Sequence, residues 1–409
     1  MSNEEKLTKM LKYVSKHNDF YKNRIKEYGI KDPLDITQWP ILTRKELQEN
    51  RYNMFSDGYK TKYFNQQLRR QSSSGSTGVP INVYWDYKDW YASNMCLWRK
   101  RLQWYDIKPT DKYVIFTLDA YSIKPKDNEI YYVNSPSNVL SINSSLIQCD
   151  IQYRKVVELI NEFDPKWLYV QPFVLAKLID IYKFYGYNIP SNLRNIESVG
   201  EILTNDLKKH SLETFHISPT NMYGSEEMNC IALETPNGNM LIMEDNVYIE
   251  VENNKITRCG DGKAVITSLN NYAMPLIRYN QGDMINIEPR SDDHLYINTI
   301  YGRTCNCIKT GNGSFVSAIQ LLEIISEVNN VMSDVIKENR FIYNKKRNEI
   351  CCYVILNPTY YDWKDNVALL FKNICSEKII WSGNINIQFC EQGTLSKHTE
   401  KKEIILFEE

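Results

Sequence analysis

Between Gln71 and Pro80 the chain reads QSSSGSTGVP, a small, hydroxyl-rich stretch in a sequence otherwise crowded with Tyr, Lys and Ile. Gly75 and Gly78 let a backbone wrap closely around a ligand, while Ser73, Ser74, Ser76 and Thr77 supply hydroxyl and amide donors. Converging donors of this kind suit phosphate oxygens. The stretch is not a Walker loop, because no Lys follows Gly78 and GxxxxGK[ST] is absent. It is not a hydrolase nucleophile elbow either, which needs GxSxG between strand and helix. Alone, it serves equally as a flexible turn or a phosphate clamp.

Four further stretches place glycine beside acidic or basic residues: VGEIL (199–203), YGSEE (223–227), PLIRYNQGD (275–283) and YGR (301–303). Each has an ordinary structural reading. YGSEE can open a helix, Glu201 can sit at a helix N-terminus, Asp283 can be a turn aspartate, and Arg303 a surface arginine. The histidines are scattered and no CxxC pair exists, so zinc spacing is absent and a structural metal is not expected. The ten cysteines are expected as reduced, mostly buried thiols of a cytosolic protein.

Composition limits the classes of function. A chain of 409 residues with 43% hydrophobic and 24% charged residues is long enough for two domains and ordinary in its balance. Its formal charge of -1 offers no global field for nucleic acid or an anionic membrane, so an anionic ligand needs a local site. The start, MSNEEKLTKM, lacks a signal peptide's apolar core, and no apolar run approaches a membrane span. Neither nucleic acid nor membrane is an expected partner.

The positioning elements follow from periodicity. Leu7, Met10, Leu11 and Val14 recur at helical spacing. Thr43 with Glu46 forms a capping box for a second helix. YVIFTL (113–118) and the run from Trp167 to Val170 read as buried strands, with helices in VVELINEF and in FVLAKLIDIYKFYGY, the latter closed near Gly186. NIESVGEIL and TNMYGSEEM each pass from strand into a loop. This alternation predicts an α/β body with a largely parallel sheet. From about Asn246, Asn/Gly turns between short strands predict an antiparallel β subdomain. After Gly302 a small α+β unit is expected: a helix at 318–328, strands at 340–343 and 349–356, a helix at 363–375, a strand at 384–389 and a lysine-rich end. The expected division is 1–302 and 303–409, with a hinge between Gly302 and Cys307.

In this order, SSSGSTGVP, VGEIL, YGSEE, PLIRYNQGD and YGR resemble the core motifs of the adenylate-forming superfamily of acyl-CoA synthetases, adenylation domains and luciferases. The branch resembled is the phenylacetate-CoA ligase group, with its polysaccharide-cluster and coenzyme F390 synthetase relatives. NDFYKNRI (18–25) and WPILTRKEL (39–47) also resemble that branch. The resemblance implies a large N-terminal ATP- and acid-binding domain and a mobile C-terminal lid. Ser73, Ser74, Gly75, Ser76, Thr77 and Gly78 would hold the β- and γ-phosphates, and Thr77 would share in catalysis. Gly200 and Glu201 would flank the acyl and adenine pockets. Tyr223 would lie along the adenine with Gly224 beside it, Glu227 would hold Mg²⁺, Asp283 would accept both ribose hydroxyls, and Arg303 would reach the ribose and phosphates.

Three positions depart from the pattern. Glu226 stands where relatives have Ser or Thr against the α-phosphate, so either Ser225 makes that contact or the grip on the α-phosphate is weaker. Cys305 and Asn306 follow YGR where relatives carry aspartates. HTEKKEI replaces GKxxR near the end, aligning Lys401 with the catalytic lysine and leaving Lys397 and Lys402 as alternatives. The implied activity is ATP- and Mg²⁺-dependent formation of an acyl-adenylate from a small carboxylic acid, followed by thioester formation with CoA. Transfer to an amine or carrier protein, in polysaccharide or secondary-metabolite assembly, is the alternative. A nucleotide-binding protein without catalysis is the alternative of another class.

Overall fold

The computed structural model describes residues 1–72, 81–117, 129–292, 294–309, 315–379, 381, 383–391 and 405–408. Two compact units emerge. The larger comprises Met1–Gly260, Ala264–Gln281 and Ile287–Asn298; the smaller comprises Asp261–Lys263, Gly282–Asn286 and Thr299–Glu409.

In the larger unit, helix Asn3–His17 is closed at its start by a capping box between Ser2 and Glu5, and it buries Leu7, Met10, Leu11 and Val14 as their spacing predicts. Helix Arg44–Glu49 has the predicted capping box between Thr43 and Glu46. The centre of the unit is a run of parallel strands in the order Val139–Asn143, Tyr113–Thr117, Trp167–Val170, Asn195–Val199, Thr220–Ser225. Helices Asp150–Phe163 and Pro172–Tyr185 pack Val156, Ile160, Leu175 and Leu178 against it. The second of these helices ends, as predicted, at Gly186, whose φ of 64° is the left-handed turn that glycine adopts without strain. Beyond Thr220–Ser225 the pairing turns antiparallel through Asn229–Glu234 and Met240–Ile242. The expected antiparallel region after Asn246 includes a hairpin pairing Val251 with Thr257 across Asn254.

Three of the motifs named above are structural partners of one another. The Tyr21 hydroxyl donates to the carbonyl of Pro275 at 2.9 Å and accepts from the amide of Ile277 at 3.0 Å. Arg24 forms an ion pair with Glu46 and donates to the carbonyl of Ile41 at 3.2 Å. Arg278 grips Glu250 through Nε at 2.9 Å and Nη2 at 2.6 Å, and donates from Nη1 to the carbonyl of Trp39 at 2.8 Å. NDFYKNRI, WPILTRKEL and PLIRY thus fasten the N-terminal segment to the strand that continues into NQGD.

The smaller unit has a four-stranded sheet ordered Asn384–Phe389, Glu349–Leu356, Ile336–Asn344, Ile405–Glu408. Its central pair is antiparallel and each outer strand is parallel to its neighbour. Helices Ala318–Val331 and Lys364–Lys378 contribute Leu321, Ile325, Val367 and Phe371 to the core beside Phe341 and Val354. Strand Ile405–Glu408 was not expected: its four residues follow a lysine cluster and give too short a run to mark a strand.

The ten cysteines are free thiols, but only Cys96, Cys230, Cys352 and Cys375 are buried, while Cys149 and Cys305 are exposed. The expectation of mostly buried thiols is corrected accordingly. Among the described residues no helix is long and apolar enough to cross a membrane.

Candidate functional site

Ser73, Ser74, Gly75, Ser76, Thr77 and Gly78 lie outside the described residues, as do Lys397, Lys401 and Lys402. The flanks of the first stretch are defined. Strand Arg69–Ser72 pairs antiparallel with Asn82–Trp85, from Arg69 opposite Trp85 to Ser72 opposite Asn82. The amide of Gln71 donates to Glu226 Oε2 at 3.1 Å and to Asn229 Oδ1 at 3.1 Å, and Asn229 Nδ2 donates to Ser93 Oγ at 2.6 Å. One side chain thereby ties the strand leading into SSGSTG to YGSEE and to helix Tyr87–Tyr105.

YGSEE is the corner between strands Thr220–Ser225 and Asn229–Glu234. It requires glycine at 224, because a Cβ there would stand 2.5 Å from the carbonyl oxygen of Asn229. The Tyr223 hydroxyl accepts a hydrogen bond from Gln281 Nε2 at 2.6 Å. Glu227 is only 4% exposed, and the hydroxyl of Tyr279 reaches its carboxylate at 3.5 Å, the outer limit of a hydrogen bond. Ser225 Oγ is buried without a partner among the described residues. Glu226, the departure from the usual motif, turns its carboxylate to Gln71.

The burial and sparse hydrogen bonding of Glu227 fit a divalent cation. A desolvated carboxylate with one long hydrogen bond is costly unless a positive charge balances it. Among the described residues no cluster of three His, Cys, Asp or Glu side chains surrounds it. Mg²⁺ characteristically keeps waters and takes one or two carboxylates plus substrate phosphates.

Gly200 and Glu201 leave the sheet at the C-terminal end of Asn195–Val199. The register pairs Val199 with Met222, so they emerge level with Tyr223. Ligands of open α/β sheets occupy this end of the strands. Behind them, Glu197 is buried against Arg101, with Nε–Oε2 at 2.9 Å and Nη2–Oε1 at 2.6 Å. The Arg101 guanidinium lies 4.6 Å from the ring centres of both Trp98 and Trp167.

In the smaller unit Asp283 follows Gly282, whose φ is 89°. Arg303 Nε stands 3.3 Å from Asp283 Oδ1, and Thr304 Oγ1 donates to the carbonyl of Gly282 at 3.0 Å. Asp261, which the sequence did not single out, accepts from the Tyr301 hydroxyl at 2.7 Å and from Asn286 Nδ2 at 3.1 Å. Sequence reasoning also missed Gln71, Tyr279 and Gln281. Each had one signal, its place in a quoted stretch: Gln71 opens QSSSGSTGVP, and Tyr279 and Gln281 lie inside PLIRYNQGD.

No family model matches the chain. The phenylacetate-coenzyme A ligase of Pseudomonas putida is 25% identical over 336 residues, covering 72% of this chain and 71% of that protein. The fold is that of 2-hydroxyisobutyryl-CoA ligase, solved in its postadenylation state with R3-HIB-AMP, at a TM-score of 0.74 and 15% identity over 99% of this chain and 89% of the other. The chain is thus similar in sequence to that phenylacetate-coenzyme A ligase and has the fold of the acyl-CoA ligase solved with an acyl-adenylate. The anthranilate CoA ligase AuaEII, solved with anthranoyl-AMP, is a more distant structural neighbour. Its TM-score is 0.55 at 17% identity, over 82% of this chain and 64% of the other.

Proposed function

We propose that the protein activates a small carboxylic acid as an acyl-adenylate at the expense of ATP and then passes the acyl group to the thiol of CoA. The observation that carries this reading is the YGSEE corner. There a buried carboxylate with one long hydrogen bond, Glu227, stands two residues from a buried hydroxyl without a partner, Ser225. These are the groups needed for a metal ion and for an α-phosphate oxygen.

In the first half-reaction a carboxylate oxygen of the acid attacks the α-phosphorus, the bond to the bridging oxygen breaks, and pyrophosphate leaves with its electron pair. In the second, the CoA sulfur attacks the acyl carbonyl, AMP departs, and the thiol proton passes to solvent. Catalysis of this kind is chiefly positioning and electrostatic stabilisation. Held at Glu227, Mg²⁺ would neutralise charge on the phosphate oxygens. Ser225 donates to the α-phosphate in place of the residue that Glu226 has displaced. Tyr223 offers its ring to the adenine beside Gly200 and Glu201, and Asp283 with Arg303 takes the ribose.

Ser73, Ser74, Gly75, Ser76, Thr77 and Gly78 form the clamp for the β- and γ-phosphates, and Gln71 anchors the strand leading into it. Residues 303–409 serve as a mobile lid that brings Lys401 to the α-phosphate. The hydrogen bond from Gln71 gives Glu226 a structural task, so this departure does not argue for a protein without catalysis.

Pyrophosphate release measured with ATP, Mg²⁺ and a panel of carboxylic acids tests the reading. At least one acid releases pyrophosphate, and AMP appears in step with thioester only when CoA is added. No release with any acid overturns adenylation. Release without CoA dependence overturns the acceptor alone.

A further inference from the structure

Two side chains of one strand reach the YGSEE corner. Tyr279 and Gln281 are alternate residues of strand Tyr279–Pro289, and alternate residues of a strand share a face. The Tyr279 hydroxyl meets Glu227 and the Gln281 amide meets Tyr223. Their strand is not a sheet neighbour of Thr220–Ser225: three other strands stand between them in the hydrogen-bonded order. Backbone pairing therefore does not bring Gln281 to Tyr223. The contact is made by side chains alone.

The chemistry of the pair is specific. Gln281 is 5% exposed and donates to the phenol oxygen at 2.6 Å. A tyrosine ring has two side-chain torsions, and a bond at its far end restrains both. A base that stacks on a ring already held loses less free energy to ordering than one that must hold the ring itself. Gln281 is also two residues before Asp283, so the same short segment sets the ring and carries the ribose carboxylate.

We infer that Gln281 is a positioning residue for nucleotide binding, holding the Tyr223 ring in the attitude on which adenine stacks. The inference rests on the ATP reading of the site. Gln281 touches no reacting atom. Its loss acts on ATP affinity and leaves the handling of the acid unchanged.

The test is a double-mutant cycle on the full-length protein, with ATP and AMP affinity measured by calorimetry in the absence of acid and kcat and KM measured in pyrophosphate release. Gln281→Leu and Tyr223→Phe each weaken ATP binding about fivefold, the worth of one hydrogen bond between uncharged groups. The double variant is no weaker than either single one, because both changes remove the same bond. The KM for the acid stays within about twofold of wild type. Gln281→Glu, to which the Tyr223 hydroxyl can donate, restores most of the ATP affinity. Should Gln281→Leu fail to fold, Gln281→Glu and Tyr223→Phe still give opposite expectations.

A wild type that binds neither ATP nor AMP overturns the ATP reading and this inference with it. A wild type that binds ATP overturns the inference alone if the two losses multiply in the double variant. So does one in which acid and ATP constants fall together.

Discussion

Arg303 Nε lies 3.3 Å from Asp283 Oδ1, and the carboxylate is well shielded while the guanidinium is partly open to solvent. The arginine thus stands beside one of the two carboxylate oxygens. On the proposed reading, in which Asp283 accepts both ribose hydroxyls, it has to share the first oxygen with Arg303 or release it. Asp283→Ala is expected to raise the ATP KM about tenfold or more, the usual worth of a hydrogen bond to a charged group. It also narrows the preference for ATP over 2′-deoxy-ATP, because a buried acceptor normally penalises the sugar that leaves it unpaired. A variant that discriminates between the two sugars as well as wild type would reduce Asp283 to a turn residue.

Glu227 separates function from stability. Its carboxylate is buried with one long hydrogen bond from Tyr279, so it is a burden on the metal-free fold. Glu227→Gln keeps the shape and removes the charge. The variant is expected to melt no lower than wild type, to need far more Mg²⁺, and to release pyrophosphate about a hundredfold more slowly. Melting curves and a Mg²⁺ titration of the rate check this. A large loss of stability with an unchanged Mg²⁺ requirement would make Glu227 a structural residue.

The buried pair of Arg101 and Glu197 makes the opposite prediction. Both members are almost fully enclosed, the contact is two-pronged, and the guanidinium lies 4.6 Å from the ring centres of two tryptophans. Glu197→Gln leaves the arginine charge without its counter-charge, at a cost of about 3–5 kcal/mol. Denaturant unfolding should show that loss directly. Since Glu197 sits three residues before Gly200, activity should fall in proportion to the folded fraction and recover at lower temperature. A stable Glu197→Gln variant would mean that water reaches the pair.

These contrasts also explain what the sequence discloses. Leu7, Met10, Leu11 and Val14 mark their helix because one face of a helix repeats within a few residues. The capping box at Thr43 is local in the same sense. Strand Arg69–Ser72 is invisible to such reasoning, since RRQS has no apolar residue and is held by backbone pairing to Asn82–Trp85. The partners within the candidate site are distant in the chain. Gln71 meets Glu226 across 155 residues and Gln281 meets Tyr223 across 58. Motif order pointed to Tyr223, Glu226 and Glu227, but nothing in the type or spacing of Gln71 announces what it holds. Arg101 and Glu197 are 96 residues apart and look like any surface arginine and glutamate until folded.

Asp89 offers a test by pH. It lies in a cleft lined by Tyr13, Tyr59, Tyr272 and three lysines, and accepts from the amide of Tyr272 at 3.2 Å. Burial pushes its carboxyl up to about 6 from an ordinary 3.8, and nearby Asp86 adds to the shift against the opposing pull of the Tyr272 amide, Lys88 and Lys62. The folded protein therefore holds this proton more tightly than the unfolded chain. The stability associated with it is complete below the unfolded value, declines as pH rises through the interval, and is constant above about 6. Asp89→Asn keeps an acceptor for the Tyr272 amide and has no proton to lose. Relative to wild type, it should gain about 1 kcal/mol between acid and neutral pH, after allowance for solvent screening of a partly exposed carboxyl. Urea midpoints of the two proteins, measured at several pH values across that interval, check the sign as well as the size. Parallel curves would show that Asp89 titrates as an ordinary surface carboxylate. A gap that widens toward acid would reverse the assignment, making favourable partnership of the charged carboxylate with Lys62 and Lys88 outweigh its burial.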